Sequence, residues 1–201
     1  MIEMKKRQII FLWLLAIQLS AFCQENVLLN YGDTLMTAAM AKLFDQNGTS
    51  TSDAQRYQWS DKYTRGDAKG NGNTTIWPQG FGLAALSQMA LAAKDTDRYT
   101  TYRTAANRLA AKFSNYITTI NGVRGYSVYG GTQHRFLDDN AWAALGMLDA
   151  YELDKRSTYL AAAKMVGNYM VQAGRLLEEN PPGGGGMYWQ DSPADHTNTH
   201  K

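Results

Sequence analysis

Leu137-Asp138-Asp139-Asn140-Ala141-Trp142-Ala143-Ala144-Leu145-Gly146-Met147-Leu148 decides how this chain folds. From Asn140 to about Leu153 it predicts a helix that is apolar almost all round, and a helix with no polar face is buried on every side. Two carboxylates stand at its start. Asp is a favoured N-cap, and a second acid in the first turn suits the positive end of the helix dipole, so capping alone accounts for the pair. Adjacent charges on the rim of a buried helix also suit a site where those charges do chemistry.

Working outward, about Lys155 to Glu178 is one-faced, with Tyr159, Ala163, Val166, Met170, Ala173 and Leu177 at steps of three and four. Upstream, Asp97 to Ile120 is predicted as one helix with the stripe Tyr102, Ala106, Leu109, Phe113, Tyr116 and Ile120. Trp77-Pro78 opens a second all-apolar helix that runs to Ala93, with Pro in the first turn where its missing N–H is not needed. Glu25 to about Phe44 is again one-faced, through Leu28, Tyr31, Leu35, Ala39 and Leu43. Trp77 and Trp142 read as core residues.

One-faced and all-apolar helices therefore alternate, about five in all. A weak internal repeat runs with them: Ala84-Ala85-Leu86 recurs as Ala143-Ala144-Leu145, Asp95 as Asp154, and Asn115-Tyr116 as Asn168-Tyr169. The unit is a helical hairpin with one buried and one outer helix. Buried helices ringed by one-faced ones predict an all-α fold of two concentric layers, an α/α toroid. The loops 45–75, 121–135 and 180–201 are long for an up-down bundle and each precedes the place of an inner helix, so they gather at one end, where function is expected. Three hairpins with the last inner helix missing read as the N-terminal half of a longer protein. Half a toroid is expected to leave Phe81, Leu83, Trp142 and Leu145 facing water. Made alone, it is expected to aggregate and to show no turnover.

Residues 1–23 have the form of a secretory signal: Lys5, Lys6 and Arg7, then an apolar core from Ile9 to Leu19, then Ala21-Phe22-Cys23 as the cleavage site. The chain is thus expected to be exported, to the periplasm, the cell surface or the medium. Lipid attachment at Cys23 is the second reading, which bulky Phe22 fits poorly. The formal charge of +2 comes from this segment, and the rest is neutral, which gives no footprint for nucleic acid. Residues 24–201 hold no cysteine and no transmembrane segment, and are long enough for one hydrophobic core. His134, His196 and His200 lack the spacing of a metal site, and the Gly183–Gly186 run lacks the Lys and Ser/Thr of a phosphate loop, so no metal or cofactor is expected.

With the loops and acids placed, the sequence resembles glycoside hydrolase family 76, the endo-α-1,6-mannanases. The resemblance is carried by Phe136-Leu137-Asp138-Asp139-Asn140-Ala141-Trp142, Ala150-Tyr151-Glu152-Leu153, Tyr159-Leu160 and Gly184-Gly185-Gly186-Met187-Tyr188-Trp189, in that order, and covers about 24–201. It implies an (α/α)6 barrel of which this chain holds the first half, monomeric when full length. It implies retaining hydrolysis of α-1,6-linked mannan, with Asp138 as nucleophile and Asp139 as general acid/base. Spacing is compatible: retaining glycosidases hold their carboxyls about 5–5.5 Å apart, and adjacent helical side chains diverge by roughly 100° from α-carbons about 3.8 Å apart. Trp59, Tyr126, Tyr129, Tyr188 and Trp189 are candidate platforms for sugar rings, with loop packing as their other reading, and His134 is a candidate hydrogen-bond donor to the glycan. The alternative to hydrolysis is an exported, non-catalytic glycan-binding or scaffold protein in which the acids only cap a helix.

Overall fold

The computed structural model describes residues 27–45, 58–59, 74–172, 187–191 and 199–200. The signal-like segment, Tyr57, Tyr63, the glycine run, His196 and the end of the fifth predicted helix lie outside the described residues. The chain divides into two units, Met1–Ala38 and Ala39–Lys201. A helix over residues 27–43, α1, supplies the described part of the first. Leu28, Tyr31 and Leu35 are exposed along it, so the stripe expected through them is not a buried face. The buried residues near its C-terminal end are Met40 and Phe44, which set a different phase.

The second unit contains two helical hairpins: α2 (Ile76–Ala92) with α3 (Arg98–Lys112), and α4 (Leu137–Asp154) with α5 (Ser157–Gln172). The two all-apolar helices, α2 and α4, pack against each other, while α3 covers α2 and α5 covers α4. Glycines set how close the inner pair comes. A Cβ on Gly80 would lie 2.6 Å from the Trp142 carbonyl carbon and 2.7 Å from the Ala143 nitrogen. One on Gly146 would overlap the Gly80 carbonyl oxygen. Backbone meets backbone there, and Leu83, Leu86, Ala143 and Met147 fill the seam on either side.

Neither inner helix is buried on every side. Trp142 and Leu145 are 41% and 50% exposed, and Trp77 and Phe81 are 47% and 38% exposed. Trp77 and Trp142 are therefore not core residues. They join an exposed aromatic row, with Trp77 edge-on to Phe81 at 4.9 Å and Phe81 edge-on to Trp142 at 6.2 Å. Of the four residues expected to face water, Leu83 does not, because it points into the α2–α4 seam and is fully buried.

The helix expected over Asp97 to Ile120 ends at Lys112. A 3-10 turn, Phe113–Tyr116, leads into β1 (Ile117–Ile120), which pairs antiparallel with β2 (Val123–Tyr126). Ile120 faces Val123 across a two-residue turn, Asn121-Gly122, with φ of 51° and 79°. Positive φ at both positions is the turn that Asn-Gly favours, and Ile-Thr-Thr-Ile is β-branched throughout. Local turn chemistry outweighs the helical periodicity that Tyr116 and Ile120 continue.

At the far end of α4, the Asp154 carboxylate accepts hydrogen bonds from Arg103 Nε (2.6 Å) and Asn107 Nδ2 (2.7 Å) of α3, with Arg156 at 3.5 Å. Burial pushes this carboxyl up, and the hydrogen bonds from Arg103 and Asn107 more than reverse it, leaving it below the usual carboxylate range. Two outcomes follow. Gly80→Ala gains helix propensity of about 1 kcal/mol yet is expected to lose a net 1–3 kcal/mol, roughly, in urea unfolding, because the helices are forced apart; a stabilised variant would contradict the close contact. For Asp154, folding favours the charged form, so its contribution is complete above the ordinary value of 3.8 and is lost as pH falls through the lowered one. Asp154→Asn should lower the melting temperature at neutral pH, and its gap from wild type should close in acid below 3.8.

Candidate active site

The acids sit in the first turn of α4. Its N-cap is Phe136, in extended conformation, whose side chain makes no capping hydrogen bond. Asp138 and Asp139 are thus the second and third helical residues, not caps. Their side chains diverge: Asp138 is exposed and Asp139 is 6% exposed. The partial positive charge of the helix start favours negative charge there.

Two structures hold this turn from opposite directions. From β2, Asn140 acts as a clamp. Its Oδ1 accepts from the Tyr126 backbone N–H at 2.8 Å, and its Nδ2 donates to the carbonyls of Tyr126 and Phe136, each at 2.8 Å. Asn140 is fully buried, and these three bonds use nearly all the capacity of its amide. From the C-terminal side comes a short strand pair. β3 (Arg135–Phe136) pairs antiparallel with β5 (Gln190–Asp191), and the Leu137 N–H donates to the Trp189 carbonyl at 3.0 Å. That bond satisfies one of the N–H groups a helix start leaves open.

The strand pair carries Trp189 to the acids. Its indole packs on Phe136, centroids 4.8 Å apart, and its Nε1–H donates to Asp138 Oδ1 at 3.2 Å. Beneath the pair, Arg135 is 1% exposed. Its guanidinium forms an ion pair with buried Asp191, donates from Nη1 to the Val123 carbonyl at 2.7 Å, and lies 4.6 Å over the Tyr169 ring. Burial, then the Asp191 charge, pushes the Tyr169 hydroxyl above the ordinary phenol range, and Arg135 opposes this; Asp139 and Asp138 add to the rise.

The expected sugar platforms fall into three groups. Trp189 and Tyr129 are 36% and 39% exposed, and His134 is exposed with Nδ1 3.4 Å from Gln190 Nε2. Trp59 and Tyr126 offer no face to solvent, which corrects the expectation for both. Trp59 is packed between Phe44 and Gly82, with its backbone held by the Gln79 amide at 2.7 Å on each side. Tyr126 is 1% exposed and edge-on to Phe113, and burial raises its hydroxyl. Tyr188 lies in β4 (Met187–Tyr188), which pairs with β6 (Thr199–His200); its side chain is outside what is described. The sequence reading missed Arg135, Asp191 and the clamp role of Asn140.

Comparison with known proteins bears on the family and the fold. The sequence pattern described as glycosyl hydrolase family 76 matches residues 30–201. The chain belongs to that family. Among solved structures it is similar to a family 76 glycoside hydrolase (mannosidase) from Bacteroides thetaiotaomicron VPI-5482, with 28% identity and a TM-score of 0.64 over 81% of this chain. A family 76 glycoside hydrolase from a bovine Bacteroides thetaiotaomicron strain matches with 27% identity and a TM-score of 0.65, also over 81%. The chain spans 41% and 32% of those two proteins, so its two layers of helices are part of an (α/α)6 toroid. No curated protein matches. Among the described residues, no helix is long and apolar enough to cross a membrane.

The clamp yields a prediction for this family 76 chain. Asn140→Ala leaves the Tyr126 N–H and two carbonyls buried without their partner. Each such loss costs about 1–3 kcal/mol, so unfolding free energy should drop by at least about 2 kcal/mol. Chemical denaturation measures it, and a change below about 0.5 kcal/mol, ordinary for a surface site, would show the clamp to be dispensable.

Proposed function

We propose that the acid pair serves retaining hydrolysis of α-1,6-linked mannan. The observation that carries this reading is the pairing of one exposed and one buried carboxyl on successive residues at a single helix start. Asp138 is the nucleophile. It faces solvent at the helix start and accepts the Trp189 Nε1–H. Its oxygen attacks the anomeric carbon while the glycosidic C–O bond breaks. Asp139, sunk beside it, is the general acid that protonates the leaving oxygen. In the second step Asp139 takes a proton from water, the water oxygen attacks the anomeric carbon, and the Asp138–sugar bond breaks, restoring both groups.

The substrate is a polysaccharide; Trp189 borders Asp138, and Tyr129 and His134 are exposed on the loop between β2 and β3. Export through residues 1–23 belongs to the same proposal, since a mannan is met outside the cell. So does a monomeric working state. In the competing reading, a non-catalytic glycan-binding protein, the acids serve only the helix start, as first-turn charges rather than as the N-cap.

In a full-length version of the protein, Asp138→Asn and Asp139→Asn should each cut turnover of α-1,6-mannan by roughly 100-fold or more. Asp138→Asn should also abolish covalent labelling by a mechanism-based mannosyl inhibitor, read by intact-mass spectrometry. Near wild-type turnover in either variant would remove that residue from the mechanism. Mannan binding without any hydrolysis by the full-length wild type would favour the binding protein instead.

A further inference from the structure

We infer that Arg135 and Asp191 are positioning residues for the acid pair, acting through Trp189; this rests on the hydrolase reading above. The ion pair is out of place as a source of stability. Removing two charges from water costs several kcal/mol each, and well-packed apolar residues commonly do as well or better. What the pair does have is location. Arg135 and Asp191 are partners in the β3–β5 register, Phe136 follows Arg135, and Trp189 lies two residues before Asp191. Phe136 is the N-cap of α4 and the floor under the Trp189 indole, and Trp189 reaches Asp138. The strand pair is only two residues long on each side, so its backbone pairing is a weak hold on its own. The buried guanidinium fixes it at three points: Asp191 on β5, the Val123 carbonyl on β2, and the face of Tyr169 on α5.

The internal repeat supplies a comparison. Tyr116 and Tyr169 are equivalent in the two hairpins, and both are fully buried. The Tyr116 hydroxyl is bonded to Gln58 and to Thr74, at 3.0 Å to its side chain and 3.1 Å to its carbonyl. Those partners are neutral, and they belong to the segment that leads into α2. The Tyr169 ring instead carries a cation, and no described residue bonds its hydroxyl. Gly125 makes room for that ring, since a Cβ there would stand 2.9 Å from Tyr169 Cγ. The Arg135–Tyr169 contact thus lies in the hairpin whose inner helix begins with the two acids.

The test is a double-mutant cycle of Asp191→Asn and Trp189→Phe in a full-length version of the protein, with kcat and KM on α-1,6-mannan and the indole 15N–1H resonance of Trp189 as readouts. Each single variant should lower kcat by about 10- to 100-fold, the worth of one hydrogen bond to a charged group, with KM little changed. The double variant should be no worse than Trp189→Phe alone, because Asp191 has nothing left to act through. The indole resonance should move in Asp191→Asn and in Asp138→Asn alike. Losses that multiply, or an indole resonance unmoved in folded Asp191→Asn, would overturn the inference. If the full-length wild type lacks turnover but the resonance moves, the positioning stands and the hydrolase reading falls. Should Asp191→Asn not fold, Arg135→Lys keeps the charge, loses the fork that spans Asp191 and Val123, and is read the same way.

Discussion

The seam between α2 and α4 is the constraint from which the rest of the structure follows. Gly80 and Gly146 let two helical backbones touch, and no side chain longer than hydrogen fits between them at that point. Close-packed interiors do not deform continuously, so a contact of this kind fixes the position of each helix along the other. α3 and α5 then have one way to cover the pair. The start of α4, where the acids are, inherits its place from this seam.

What the seam cannot set is the direction of the first turn, because helix ends fray when their N–H groups lack partners. The hairpin β1–β2 and the strand pair β3–β5 supply that direction. One grips Asn140 through backbone atoms of Tyr126, and the other grips the N-cap residue and the N–H of Leu137. A site made of adjacent carboxyls needs both. Their separation comes free from the helix, but their shared orientation towards a substrate does not.

The helices were legible because periodicity reports burial directly, and Gly, Pro and acid-pair punctuation lies at their ends. The acids were legible because they break the apolar pattern of α4. Three features were not. The β1–β2 hairpin was masked by Phe113, Tyr116 and Ile120, which happen to continue the stripe of α3, although Asn121-Gly122 marks the turn. The exposure of Trp77 and Trp142 depends on what packs against α2 and α4, which an all-apolar helix does not encode by itself. The Arg135–Asp191 pair joins residues 56 apart, and single charges in polar, aromatic-rich loops read as solvated. Trp59 and Tyr126 show the same limit from the other side, since a loop aromatic looks alike whether it faces a sugar or its own helix.

The two buried tyrosines also bear on how freely this architecture can change. Tyr116 is enclosed by the segment leading into α2, and Tyr169 by the segments leading into α4, so each outer element closes over the approach to the inner helix of its own hairpin. Repeats that interact mainly with nearest neighbours have roughly additive stabilities. The contacts under one inner helix can therefore change without any matching change under the other. The hairpin is then a unit of variation as well as of folding: the loops at its inner-helix start can be rewritten for chemistry one repeat at a time, while the glycine seam keeps the repeats in register.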